Sequence, residues 1–187
     1  MSVKNRVDPC GRFNAVSARG ALMGNRGNLQ RAGQQWEEKR WITCTLTFPG
    51  IERVPVKACK YTKLLFLDEA TAFAAGHRPS AQCRRDKFKE FRSAVDKIIH
   101  VDRTVKGEEK VTYEAPVGEL PHGTFVEVDE IAFLVWRGEL PQWSFDGYGP
   151  ARDALPLSTI VRVLTPKSNV LAFKTGFTPC VHPSATA

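Results

Sequence analysis

The side chains best suited to binding or catalysis are concentrated in one stretch, Asp68 to Arg85, with the sequence DEATAFAAGHRPSAQCRR. Ser80 precedes a helical pattern, so it predicts a helix N-terminus whose free backbone N–H groups can bind an anion. Arg78, Arg84 and Arg85 lie close to that helix start, and the guanidinium fork suits phosphate and carboxylate groups. This spacing predicts a phosphate-binding site made of Ser80 and the three arginines.

The same arginines admit a second interpretation. Arg84 and Arg85 stand in the first turn of the predicted helix, where the helix dipole disfavours positive charge. So unfavourable a placement indicates either a functional role or a buried acidic partner, for which Asp68 and Glu69 are candidates. The sequence leaves phosphate binding and an internal ion pair open.

A thiol-dependent reaction is a further alternative. Cys83 is expected near the start of the same helix, where the helix dipole and Arg84 would lower the pKa of its thiol. His77 or His100 could then act as a base. The sequence contains no G-x-S-x-G, H-E-x-x-H or Walker pattern. We therefore expect a non-enzymatic protein and keep an enzyme that uses His77 and Cys83 as the alternative.

The stretch 68–85 resembles the second half of the zinc-binding domain of Ada-type DNA alkylation-repair proteins. In that family a short helix ends in a turn of Ala-Gly, an aromatic residue and Arg-Pro, and a C-x-x-C pair opens the next helix. Here the turn matches at Ala75–Pro79, and the two cysteine positions fall on Ser80 and Cys83. The resemblance implies a structural zinc ion and methyl transfer to a cysteine. The chain as a whole resembles uncharacterised small bacterial proteins, which imply no particular function.

A structural zinc site takes four ligands, and Cys83 is the one cysteine of that pair present here. Another set, His77, Cys83, Cys180 and His182, would supply two thiolates and two imidazoles if the two regions met in the fold. The five cysteines form no C-x-x-C pair, and an odd count without a signal peptide is typical of reduced thiols in a cytoplasm. We expect a cytoplasmic protein with no cofactor, and keep that four-ligand metal site as the alternative.

Positive charge is concentrated near the N-terminus. The chain carries a net charge of +7; residues 1–63 hold 12 basic and 4 acidic side chains, whereas residues 111–187 hold 5 and 8. Such a field favours nucleic acid or another polyanion as the partner. Arg19 and Arg26, spaced among glycines, are predicted as further phosphate contacts or as part of a plain surface layer. No apolar run approaches the roughly 18 residues that span a bilayer, so we expect no membrane partner.

Three segments would position these residues. Residues 1–35 are broken by glycines, which predicts an irregular basic arm that contributes little to folding. Residues 36–110 predict a small antiparallel sheet with two helices, and its clearest strand is 41–48, with apolar side chains on one face and threonines on the other. The short helix runs from Glu69 to Ala75, and the longer one over 81–104 carries both charge signs on its outer face, typical of a solvated surface.

The segment 111–187 predicts closely spaced short strands and a last helix opened by Pro166. Residues 146–150 are expected to form a loop, and Trp143 and Tyr148 are exposed candidates for an aromatic stacking platform. An internal echo matches 72–79 with 172–179 at Ala, Phe, Gly and Pro. Shared helix-end chemistry explains that echo without a duplicated domain.

These patterns together predict an α+β fold: a small antiparallel sheet, a two-helix unit and a C-terminal β roll or partly open barrel. Segments 36–110 and 111–187 are expected to form one compact unit. The leading functional hypothesis is a non-enzymatic nucleic-acid-associated protein that binds phosphates. The alternatives are the metal- or thiol-dependent enzyme and a protein–protein adaptor whose basic arm meets an acidic partner. The oligomeric state is not predicted.

Overall fold

Two six-stranded sheets and three helices make up the fold in a computed structural model, which describes residues 4–18, 20–25, 41–46, 64–95 and 110–186. The first sheet contains β1 (Lys4–Val7), β2 (Phe13–Val16), β3 (Leu22–Asn25), β4 (Ile42–Thr45), β5 (Leu64–Phe66) and β6 (Arg78–Pro79). The second contains β7 (Tyr113–Pro116), β8 (Phe125–Val128), β9 (Ile131–Leu134), β10 (Leu140–Trp143), β11 (Tyr148–Arg152) and β12 (Ile160–Val163). The helices are α1 (Glu69–Ala74), α2 (Arg85–Ala94) and α3 (Lys167–Lys174), with 3₁₀ turns at Val117–Glu119 and Pro183–Thr186.

The two sheets differ in strand direction. The first has the order β2-β1-β5-β3-β4-β6 and is antiparallel except where β1 meets β5 and β4 meets β6. The second has the order β11-β10-β9-β8-β12-β7, and its pairings are antiparallel. In the described residues its edge strands β11 and β7 do not pair with each other, so the sheet is open. The predicted α+β class is confirmed.

Helix α1 lies between the sheets and is buried along its whole length. Its residues Ala70 and Ala74 belong to one apolar cluster with Phe125 and Leu134 of the second sheet. Small side chains let the helix approach both sheets closely, and its contacts reach β3 and β5 on one side and β8 on the other. The two sheets therefore share a core through α1.

A cluster of phenylalanines joins the three helices. The ring centroid of Phe73 in α1 lies 5.3 Å from that of Phe91 in α2, 5.4 Å from that of Phe173 in α3 and 5.2 Å from that of Phe177. Tilted and edge-to-face aromatic pairs at this spacing add to the stabilisation from burial. This cluster anchors α2 and determines which face of the helix is exposed to solvent.

The predicted helix ends are confirmed. Asp68 caps α1, and Gly76 follows its C-terminus with φ of 83°, a left-handed conformation that glycine adopts without strain. Gly176 ends α3 in the same way with φ of 109°. The N–H of the next residue returns to Ala72 O in the first case (2.9 Å) and Ala172 O in the second (3.0 Å). The internal echo is thus a repeated helix-end motif.

The predicted irregular arm is wrong for its described residues. Residues 4–25 provide β1, β2 and β3, and β1 lies inside the sheet, paired with both β2 and β5. Val7 is buried against Leu64 and Phe66. The segment belongs to the core because pairing with β5 satisfies its backbone, a long-range partnership that the glycine-broken local pattern does not reveal.

Three other expectations need correction. Strand β4 buries Thr43 and the adjacent Trp41, whereas Leu46 is 45% exposed, so the threonine face is the inner one. The predicted loop 146–150 is largely strand β11. Helix α2 begins at Arg85 rather than 81, because residues 81–84 form a turn first, and residues 96–104 lie outside the described part. None of the helices in the described ranges is long and apolar enough to cross a bilayer.

Candidate nucleic-acid interface

The start of α1 is held by a buried carboxylate. Asp68 Oδ1 accepts hydrogen bonds from the backbone N–H of Thr71 (2.8 Å) and from its hydroxyl (2.7 Å). Its Oδ2 accepts from the Tyr148 hydroxyl (2.7 Å) and from the backbone N–H of His182 (3.0 Å). Burial, together with the Asp68 charge, raises the pKa of Tyr148 well above its ordinary value, so the phenol stays a donor. This carboxylate ties α1 to the second sheet and to the C-terminal segment.

Glu69 next to it is paired with Arg84. Arg84 Nη2 lies 2.6 Å from Glu69 Oε1, and the side chains are 9% and 0% exposed. Arg84 Nη1 also donates to Thr43 Oγ1 (2.9 Å), and Glu69 Oε2 accepts from the backbone N–H of Cys180 (2.8 Å). Of the two alternatives that the sequence left open for Arg84, the structure shows the internal ion pair. Arg84 thereby anchors the start of α2 to α1 and β4.

Ser80 caps the turn before α2 rather than the helix. Its hydroxyl oxygen accepts from the backbone N–H of Gln82 (3.3 Å) and Cys83 (3.5 Å), and the residue is only 4% exposed. The residue at the N-cap of α2 is Arg84, which makes no side-chain capping bond. Arg78 belongs to β6, opposite Ile42 of β4, and is half-buried. Ser80 and Arg84 therefore have internal partners at the predicted phosphate site, and Arg85 is its exposed arginine.

His77 is a core residue. It is fully buried, with its ring centroid 4.7 Å from that of Phe66 and 5.4 Å from that of Trp41. A Cβ on Gly24 would lie 2.3 Å from the Phe66 ring and 3.3 Å from His77 Nε2, so glycine makes room for this packing. His77 therefore packs as a core residue, and its use as a base for Cys83 in the alternative enzyme stays a prediction.

The residues of the alternative metal site do not gather. Among the described residues no three His, Cys, Asp or Glu side chains are placed to hold a metal ion. His182 Nδ1 is 2.8 Å from Ser184 Oγ, and desolvation together with the charge of Glu69 raises the pKa of the Cys180 thiol. Ser80 uses its oxygen on backbone N–H groups. The zinc that the Ada resemblance implies stays a prediction.

The two N-terminal arginines whose side chains the structure describes, Arg6 and Arg12, have internal partners. Arg6 is 1% exposed and donates to the carbonyl of Phe145 (3.1 Å), and a Cβ on Gly20 would lie 2.0 Å from its Nη1. Burial lowers the pKa of Arg6, and the charge of Asp146 opposes that shift. Arg12 pairs with Asp8 at 2.8 Å. Arg19 and Arg26, the predicted phosphate contacts of this segment, lie outside the described residues.

The aromatic platform predicted on the second sheet is wrong for Tyr148, which is 7% exposed. Trp143 is half-buried and donates from Nε1 to Thr71 Oγ1 (3.1 Å). It also lines a cleft of about 220 Å³ between the sheets. The cleft is lined by Asp8, Glu127 and Glu130 together with Arg12, so its lining holds more acidic than basic side chains.

The outer face of α2 carries a stripe of cations that the sequence reasoning missed. Arg85, Lys89 and Arg92 are exposed at positions i, i+4 and i+7 of α2, within a sector of about 60° of the helix circumference. No ion pair among the described residues includes any of the three. We name these three residues the α2 cationic face.

Acidic residues of α2 border the cationic face without interrupting it, and Asp86 is three positions before Lys89. Asp86 and Glu90 occupy the neighbouring flank, and Glu90 pairs with Lys87 at 3.0 Å. In the linear sequence of α2 positive and negative side chains are interspersed, which suggests that they neutralise each other. Helical spacing resolves the same residues into two flanks, and that spacing is the signal that could have identified the stripe.

No protein-family model, curated protein or solved structure that was compared matches this chain, so the α2 cationic face carries the functional argument by its own geometry.

Proposed function

We propose that this chain is a non-enzymatic nucleic-acid-binding protein that contacts backbone phosphates through the α2 cationic face. The observation that carries the proposal is the alignment of Arg85, Lys89 and Arg92 on one exposed sector, outside every ion pair of the described residues. Cations that are not already neutralised release counterions when they meet phosphates, which drives association. The net charge of +7 adds long-range attraction to the same partner.

The mounting of α2 supports this use of its surface. Phe91 and Val95 are buried in the phenylalanine cluster on the inner side of the helix. The Arg84–Glu69 ion pair attaches the start of α2 to α1. A helix attached at both points presents its outer cations in fixed register, so binding does not have to order the scaffold first.

The test is the salt dependence of binding. Wild-type protein is titrated into a fluorescently labelled 20-mer, single-stranded or duplex, and anisotropy is followed between about 20 and 200 mM NaCl. The three cations contribute about −2.7 to the slope of log K against log salt on duplex and about −2.1 on a single strand. The triple variant Arg85→Gln, Lys89→Gln, Arg92→Gln loses that part of the slope and most of the affinity.

The matched control removes the same charge elsewhere. Arg137, Lys167 and Lys174 are also exposed, and their triple change to Gln keeps the net charge equal to that of the test variant. The control retains the wild-type slope if the α2 cationic face is the contact. Equal losses in the two variants, or wild-type binding that does not respond to salt, would overturn the proposal. Equally tight binding of polyglutamate would assign the face to an acidic protein instead.

A further inference from the structure

Beside the α2 cationic face lies a phenylalanine that the apolar core does not explain. Phe88 is three residues after Arg85 and one before Lys89, and part of its side chain is exposed. The phenylalanine cluster beneath α2 takes Phe91 and Val95 from this helix, and none of the apolar clusters of the described residues includes Phe88. An aromatic ring is therefore displayed at the border between the buried side of α2 and its cations.

Arg92 makes this ring part of a composite surface. Its guanidinium carbon lies 5.9 Å from the centroid of the Phe88 ring, within the range of a cation–π contact. The aromatic ring and the guanidinium group both offer surfaces on which a nucleobase can stack. Arg85 and Lys89 stand on either side of Phe88 in the sequence and can hold the phosphates that connect stacked bases.

We infer that the face formed by Phe88 and the α2 cationic face selects single-stranded nucleic acid, with an unpaired base stacked on Phe88. The inference rests on the proposed function and names its substrate class. In a duplex the base faces are already stacked inside the helix, so Phe88 would gain no partner there. In a single strand every base has an accessible face, which makes stacking tolerant of sequence. Charge thus supplies affinity for both forms, and Phe88 distinguishes them.

The experiment compares a single-stranded 20-mer with the duplex of the same sequence at 50 mM NaCl. Phe88→Leu keeps an apolar side chain and a good helix former but removes the ring. A stacked base is worth an affinity factor of about 5 to 150, so we expect this loss on the single strand and less than a twofold change on duplex. Phe88→Trp restores or exceeds wild-type binding to the single strand. The salt slope of Phe88→Leu equals that of wild type, because stacking releases no counterions.

The outcomes separate this inference from the proposed function. If Phe88→Leu leaves the ratio of single-strand to duplex affinity unchanged while the Gln triple still loses salt-dependent binding, the inference fails and the proposed function stands. If the Gln triple binds like wild type, the proposed function fails. Thermal unfolding of Phe88→Leu controls for a structural role, since a packing defect lowers the melting temperature and weakens both ligands equally.

Discussion

The ion pair between Glu69 and Arg84 gives the sharpest test of how α2 is held. Replacing Arg84 with Ala removes the cation that faces the fully buried Glu69 carboxylate, which keeps a hydrogen bond from the backbone N–H of Cys180. Removing one partner of a buried ion pair costs about 3–5 kcal/mol, because the other charge stays buried without compensation. The variant also loses the hydrogen bond from Arg84 to Thr43. We therefore expect Arg84→Ala to lose about 4 kcal/mol of unfolding free energy.

Urea denaturation followed by tryptophan fluorescence measures this loss. With a slope near 2 kcal/mol per molar urea, the midpoint moves down by about 1.5–2.5 M. The control is Arg85→Ala, which removes the same side chain type one residue away from an exposed position and shifts stability by no more than about 0.5 kcal/mol.

A second variant separates the charge effect from lost packing. Adding Glu69→Gln to Arg84→Met removes the uncompensated charge and keeps an acceptor for the Cys180 N–H, so the double variant recovers a large part of the loss. Equal urea midpoints for Arg84→Ala and Arg85→Ala would refute the assignment of Arg84 as a buried anchor. The assignment is also refuted if the double variant loses more unfolding free energy than Glu69→Gln and Arg84→Met lose in total when made singly.

Two further perturbations probe the joins between elements. Gly20→Ala should destabilise the fold by about 3 kcal/mol, because the added Cβ would lie 2.0 Å from the Arg6 guanidinium and 2.4 Å from the Phe66 carbonyl oxygen. In the same urea assay the control Gly149→Ala should stay near wild type, since its Cβ would lie 3.9 Å from the nearest atom, the Gln142 carbonyl oxygen. Above pH 10.0, the ordinary pKa of tyrosine, the unfolding free energy of wild type should fall more steeply with pH than that of Tyr148→Phe. The reason is that the unfolded chain releases a phenolic proton that Tyr148 retains in the fold. Parallel curves of unfolding free energy against pH for the two proteins would contradict this.

Features that a few consecutive residues encode are predictable without the tertiary structure. Asp68 and Gly76 predict both ends of α1, and Gly176 predicts the end of α3, because capping and left-handed backbone are matters of local chemistry. Strands β5 and β8 also coincide with short stretches that are rich in apolar residues, LLF and FVEV. Within the candidate site, the type and spacing of Arg84 and Arg85 indicated either an anion or a buried carboxylate.

The alternative that each of these two arginines takes depends on long-range contacts. Arg84 and Arg85 are neighbours with the same chemistry, and they separate because Arg84 stands at the non-helical N-cap, where it reaches Glu69, whereas Arg85 is the first residue of α2 and is exposed. Within α2, the rotation of 100° per residue sorts the mixed charges into two flanks. Partner choice of this kind depends on what the fold brings beneath the helix, which no local window contains.

Long-range contacts explain the remaining differences. Tyr148 is buried because its hydroxyl reaches Asp68, 80 positions earlier in the chain. Thr43 lies on the inner side of β4, where its hydroxyl accepts a hydrogen bond from Arg84, 41 positions later; alternation alone does not say which face of the strand is buried. Segment 4–25 is sheet because β5 supplies the strand that β1 and β3 pair with. Alternation and composition identify surfaces that can be buried, and the partners that bury them are selected only when the whole chain is folded.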